Sequence, residues 1–226
     1  MKEQFYQNFI YEQRYLWLLK GLKTTLILTL FALCLGVLIG GILALVRTEH
    51  DRTGRYGAGN AIAKVYVSVI RGTPAMIQLL IMNFVVFGSR NANLFLVGAL
   101  AFGINSGAYV CEIMRAGIDA VPKGQWEAGA CLGLKDGQIV RHIIAPQAVR
   151  TILPALVNEF ISLLKETAII GYIGLQDVTK AAMLIESRTF NAFWPLLAAA
   201  LMYLSLVLLL TKMAKKIEKK VLCYGK

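Results

Sequence analysis

A chain of 226 residues, 57% of them hydrophobic, with a mean hydropathy of +0.61, is more apolar than a soluble domain, in which about half the residues are apolar. Its 24 Lys and Arg outnumber 13 Asp and Glu, for a net charge of +11, yet the basic residues gather in loops beside apolar runs, which argues against a nucleic-acid partner and for contact with membrane lipid. The composition predicts an all-α integral membrane protein.

Met1 to Arg14 is polar and aromatic and the first apolar run is full length, so no cleavable signal is expected. Gln4 to Trp17, rich in Tyr and Phe, reads equally as an interfacial helix or as a simple lead-in. Thr24 to Val46, Asn91 to Cys111 and Thr189 to Thr211 carry no charge, and each is long enough to cross about 30 Å of hydrocarbon as a helix. Ala61 to Phe87 and Thr151 to Ile173 are as apolar on average but contain charges. The expectation is one domain, 1–226, with five spans at about 22–46, 61–88, 92–114, 151–174 and 190–212. With that topology the loop from Arg47, the loop from Arg115 and the tail from Lys212 hold fifteen Lys and Arg, against seven on the other side. Basic residues mark the cytoplasmic face, which puts the N-terminus outside and the C-terminus inside. The Lys-rich tail then anchors against anionic lipid.

Arg71-Gly72-Thr73-Pro74 interrupts the second span. Pro74 removes a backbone donor and frees carbonyls of the preceding turn, which membranes tolerate where neighbours or a cavity satisfy them. A plain kink, with Arg71 reaching the headgroups, is the equal alternative. The loop at about 119–150 is too long and too amphipathic for a solvated linker. In the fourth span Asn158, Glu159, Ser162, Lys165 and Glu166 recur at helical spacing on one stripe, which is expected to face a pathway instead of lipid. Counted inward at 1.5 Å per residue, Glu159, Asn105 and the Arg71 to Thr73 stretch lie at a similar depth, roughly 10–15 Å in.

Cys34, Cys111, Cys131 and Cys223 suggest no disulfide framework, and His50 and His142 have no ligand spacing, so no metal site is expected. Ser106, Ser162 and Ser205 have no histidine within a span, which argues against an intramembrane serine protease. No Gly-x-x-x-x-Gly-Lys-Ser/Thr phosphate loop occurs, so this chain is expected not to hydrolyse ATP.

Glu127-Ala128, with Gly133, Ile143 and Pro146 behind it, resembles the coupling loop of the membrane subunits of ATP-driven, binding-protein-dependent ABC importers. Pro146-Gln147-Ala148-Val149-Arg150, Leu19 to Leu26, Arg71 to Pro74 and Asn158 to Thr167 look like the polar amino acid branch of that family, so the resemblance covers roughly 16–212. It implies the type I ABC importer transmembrane-domain architecture with a cytoplasmic coupling helix, in a prokaryotic inner membrane. A short helix around Gln125 to Leu132 would present Trp126, Ala130 and Cys131 to a cytosolic ABC ATPase dimer, with Glu127, Ala128, Gly129 and Gly133 as further coupling positions. Gly129 departs from the usual alanine and loosens the helix by about 1 kcal/mol, so a later start or a bend is expected there. ATP and Mg would belong to the ATPase, with no cofactor on this chain. A second permease subunit, identical or related, and an extracytoplasmic substrate-binding protein would complete the system, the latter docking on outer loops Ser89 to Asn93 and about Asp177 to Asn191. For an amino acid substrate, Glu159 would take the ammonium, Asn105 the carboxylate or amide, and the carbonyls at Arg71, Gly72 and Thr73, with Ser162, would line the site. Arg71 is the rival partner of Glu159. A self-contained secondary amino acid transporter or channel and a purely structural subunit are the alternatives.

Overall fold

The computed structural model describes residues 2–88 and 92–223, and every regular element among them is helical. A turn of helix, Lys2–Phe5, and a wider turn, Tyr6–Ile10, precede Glu12 and Gln13, whose positive φ of 52° redirects the chain. The lead-in is therefore helical and pinned: Phe9 is buried, and Thr189 donates to Asn8 Oδ1 at 2.9 Å. Then follow α1 (Tyr15–Thr53), α2 (Gly57–Arg71), α3 (Ala75–Ile81, continued by a wide turn to Val86), α4 (Leu94–Asp119), α5 (Lys123–Cys131), α6 (Ala145–Glu166), α7 (Val178–Thr189) and α8 (Phe193–Cys223). Asp136–Ile139 and a wide turn lead into α6, and a 3-10 stretch, Thr167–Ile173, leaves it.

Among the described residues α1, α4 and Phe193–Lys216 of α8 are long and apolar enough to cross a membrane, a number that rises to as many as five when each of two bent helix pairs is counted as one span. Leu201, Leu204, Leu208 and Leu209 on α8 are each more than half exposed, as a lipid-facing helix requires, since apolar groups lose nothing in hydrocarbon.

Two expectations change. About Asp177 to Asn191 was expected as an outer loop and is mostly α7. Val178, Ala181, Ala182 and Ile185 form its buried face, and the Asp177 carboxylate caps it by accepting from Thr179 N at 3.2 Å and Lys180 N at 2.8 Å. Lys180, Glu186 and Arg188 disguised this apolar stripe as a charged loop. The other outer loop, Ser89 to Asn93, lies outside the described residues at 89–91. Helix also begins earlier than expected ahead of the fourth span: Asp136–Ile139 continues through the wide turn Val140–Ile144 into α6, and Pro146 sits just after that wide turn, inside the helix.

The chain divides into two compact units. The first (Met1–Leu35, Thr73–Gly103, Phe160–Leu210) is built on Leu28, Leu79, Phe102, Leu163 and Ile170, with a second cluster around Leu18, Ala182 and Ile185. The second (Gly36–Gly72, Ile104–Glu159, Thr211–Lys226) holds the apolar groups of Ala44, Val67, Ala108 and Cys111, and of Val121, Ile139, Ile144 and Ala148. Within it α1 and α4 approach through glycine. A Cβ on Gly36 would lie 2.8 Å from Ser106 Oγ, and one on Gly40 would lie 2.7 Å from Cys111 N and Gly107 O. Gly36 and Gly40 form the small-x-x-x-small pattern that lets membrane helices touch backbone to backbone.

Candidate functional site

In the second unit, that close approach brings a polar step of α4 to the helix surface facing α6. Asn105 is 3% exposed and Ser106 fully buried, and Ser106 Oγ donates to Glu159 Oε1 at 2.9 Å. A carboxylate midway along an apolar helix is expensive unless it is hydrogen-bonded or faces a cavity, and the hydroxyl from α4 fixes one of its oxygens. Ser106 was missed as a site residue; the signal was the adjacent polar pair Asn105-Ser106 inside an otherwise uncharged run.

Arg71 and Gly72 end α2 in the same unit. The Arg71 guanidinium lies over the Tyr109 ring at 5.3 Å and forms an ion pair with Glu112 at 3.9 Å. The expected rivalry over Glu159 therefore has another contender, because Glu112 also pairs with Arg47 and with Arg115, the latter at 3.4 Å. One carboxylate collects guanidinium groups from α1, α2 and α4, a network that the sequence spacing of 65 residues between Arg47 and Glu112 hid.

Thr73 and Ser162 belong to the first unit. The expectation that carbonyls beside Pro74 stand open is corrected at Thr73: Gln78 Nε2 donates to both the Thr73 carbonyl at 3.2 Å and its hydroxyl at 2.7 Å. The break is thus a built helix start, with Pro74 as the extended residue before α3. Along α6, Glu159 and Ser162 are half-buried, whereas Asn158, Lys165 and Glu166 stand exposed.

The segment expected to couple to an ATPase forms a helix and a tight return. At the end of α5, Leu134 N donates to Gly129 O at 3.2 Å and Gly133 N to Ala130 O at 2.9 Å, with Gly133 at φ +76°. This is the left-handed glycine stop that satisfies the last carbonyls of a helix. Gly129 neither delays nor bends α5, contrary to expectation: it is buried inside the helix, where a Cβ would lie 2.9 Å from Ile139 Cγ1. Glycine lets α5 lie flat on Ile139. Trp126 packs half-buried on the cluster of Val121, Ile139, Ile144 and Ala148. Glu127, Ala128, Ala130 and Cys131 are exposed, and Leu132 is 78% exposed.

A glutamine transport system permease protein of Rickettsia conorii, described as putative, is 42% identical over 208 residues, covering 91% of this chain and 93% of that one. The arginine transport system permease protein ArtQ of Bacillus subtilis is 40% identical, covering 90% and 91%. A crystal structure of an amino acid ABC transporter with histidines superposes at a TM-score of 0.85 with 40% identity, over 94% of this chain and 98% of that one. The architecture is accordingly that of a type I ABC importer transmembrane domain. Residues 36–222 match the description of a binding-protein-dependent transport system inner membrane component, and the chain belongs to that family.

Proposed function

We propose that this chain is the membrane permease subunit of an ATP-driven amino acid uptake system, with Glu159 as the group that meets the substrate ammonium. The observation that carries the reading is the Glu159 carboxylate held by buried Ser106 beside buried Asn105. An ammonium is the cation that every amino acid brings, and the relatives named for glutamine and arginine transport agree with a substrate of that class. Asn105 takes the carboxylate or side-chain amide, and Arg71, Gly72, Thr73 and Ser162 line the route.

The chain crosses the membrane five times, with its N-terminus outside and its basic tail inside, and it forms one transport domain over 1–226. Exposed Asn158, Lys165 and Glu166 on an apolar helix are costly against lipid, which favours a second permease subunit over that stripe. A cytosolic ABC ATPase pair, holding ATP and Mg, engages the exposed face of α5 and Leu132, and an extracytoplasmic binding protein delivers substrate. Nucleotide-driven closure of the ATPases moves α5 and opens the site outward.

Purification of the tagged chain from its own membranes tests the assembly. Two permease subunits and two ATPases in one particle is the expected composition; a lone chain that transports without an ATPase contradicts it.

Gly133 offers a local test. No atom of a residue beyond its two chain neighbours lies within 4 Å of a Cβ placed there, so its φ of +76° is what resists substitution. Left-handed backbone costs about 1–2 kcal/mol for most residues and less for Asn. Gly133→Val is expected to insert normally but to lose most bound ATPase and uptake, with Gly133→Asn close to wild type. Equal behaviour of the two variants removes Gly133 from the docking turn.

A further inference from the structure

The apolar contacts of the coupling segment run to α4 and α6, through Ile118 on one side and Ala148 and Ile152 on the other. Toward the end of α1 the same segment borders a cleft of about 720 Å³, lined by Thr48, Asp51, Asp119, Trp126 and Glu127 among others. Arg52, in the last turn of α1, reaches across that space. Its Nη1 lies 2.9 Å from Asp136 Oδ2, and its guanidinium stacks over the Trp126 ring at 5.3 Å. Its Nη2 donates to both carboxylate oxygens of Glu49, one turn back, at 3.0 Å each.

The three partners divide the work. Glu49 is on the same helix, so it locks the Arg52 rotamer and gives the fork a fixed direction, as planar guanidinium pairs do. Trp126 is on α5, and Asp136 starts the short helix beyond the Gly133 turn. A single side chain thus grips both arms of the coupling hairpin from the tip of a 39-residue helix. That helix packs through Gly36 and Gly40 directly on the Ser106 side chain and on the α4 backbone at Gly107 and Cys111, the level at which Ser106 holds Glu159. A rigid link from hairpin to α1 is therefore a rigid link from hairpin to the helix contact that orients the carboxylate.

We propose that Arg52 is a positioning residue for energy coupling: it ties the Trp126 and Asp136 arms of the coupling hairpin to α1, so that displacement of α5 by the ATPase is delivered to α1 and through it to α4. This rests on the permease reading above and names the element through which that permease is driven. A guanidinium fork and its flat face are both used, so an ammonium is a poor replacement. An arginine that merely anchored α1 to anionic headgroups would tolerate lysine.

The test uses the complete complex in liposomes, with the ATPase and the capture protein, and reads two ratios: the stimulation of ATP hydrolysis by substrate-loaded capture protein, and substrate imported per ATP hydrolysed. Wild type is read first, so failure of the permease reading appears there as absent ATP-driven import before any variant is made. Arg52→Ala and Arg52→Lys are expected to assemble with the ATPase in normal yield while both ratios fall by about tenfold, within the range of couplings between linked sites. Asp136→Asn, altering a side chain that is 68% exposed, is expected to fold regardless and to lower both ratios in the same direction. Arg52→Asp combined with Asp136→Arg is expected to recover about threefold over either single charge reversal. Wild-type ratios in Arg52→Lys, or lower assembly with normal ratios in each complex that does assemble, overturn the proposal. So does a reversed pair no better than its single reversals.

Discussion

Glu159→Gln is expected to weaken binding of a labelled amino acid to the purified complex, without capture protein, by about 10- to 100-fold. A hydrogen bond to a charged group is worth about 1.5–3 kcal/mol, and each 1.4 kcal/mol is about tenfold in affinity. Glutamine keeps the shape and still accepts from Ser106, which stands 2.9 Å away in the wild-type chain, so the loss reports the missing negative charge and not a damaged helix. Binding has to be measured without the capture protein, because that protein sets the apparent constant for uptake. Ser106→Ala is expected to weaken binding by less, since it removes one hydrogen bond to the carboxylate without neutralising it. Unchanged binding in Glu159→Gln assigns the carboxylate to structure alone.

Gly40→Val is expected to remove most of the folded protein. The added Cβ would sit 2.7 Å from the backbone nitrogen of Cys111, from the carbonyl of Gly107 and from the Val110 Cβ. Two of those three are main chain in the middle of α4 and cannot swing aside as a flexible side chain can. Overpacking of this kind costs about 1–3 kcal/mol or more, roughly 2–12 °C in melting temperature for a chain of this size. Gly41→Ala is the matched control, because its Cβ would meet nothing nearer than Met114 Sδ at 3.6 Å and alanine favours helix by about 1 kcal/mol. A Gly40→Val protein as abundant and as heat-resistant as Gly41→Ala contradicts the close contact of α1 with α4.

The long apolar helices and the short helix Lys123–Cys131 were legible because both depend on local patterns: uncharged runs of membrane length, and a glycine placed to stop a helix. Glu159 stood out for a related reason, since a carboxylate inside an apolar run has few explanations, and the structure gives it a hydroxyl partner in Ser106. α7 was not, because its four buried residues are interleaved with Lys180, Glu186 and Arg188, and charge outweighed periodicity. The role of Gly129 was read from intrinsic propensity, which tertiary contact with Ile139 overrides. Ser106, Glu112 and Arg52 have partners 41 to 84 residues away, and no local spacing announces such pairs. The Glu112 network and the Arg52 link become visible only when α1, α2, α4 and the coupling hairpin are folded together.

In the proposed mechanism, ATP hydrolysed by a partner drives an amino acid past Glu159. The direct measurement is uptake of labelled glutamine and arginine into liposomes carrying the complete complex, with ATP on the ATPase side and no ion gradient. Accumulation that requires ATP, persists with an uncoupler and is lost in Glu159→Gln is the predicted result. Accumulation that follows an imposed ion gradient and ignores ATP contradicts it.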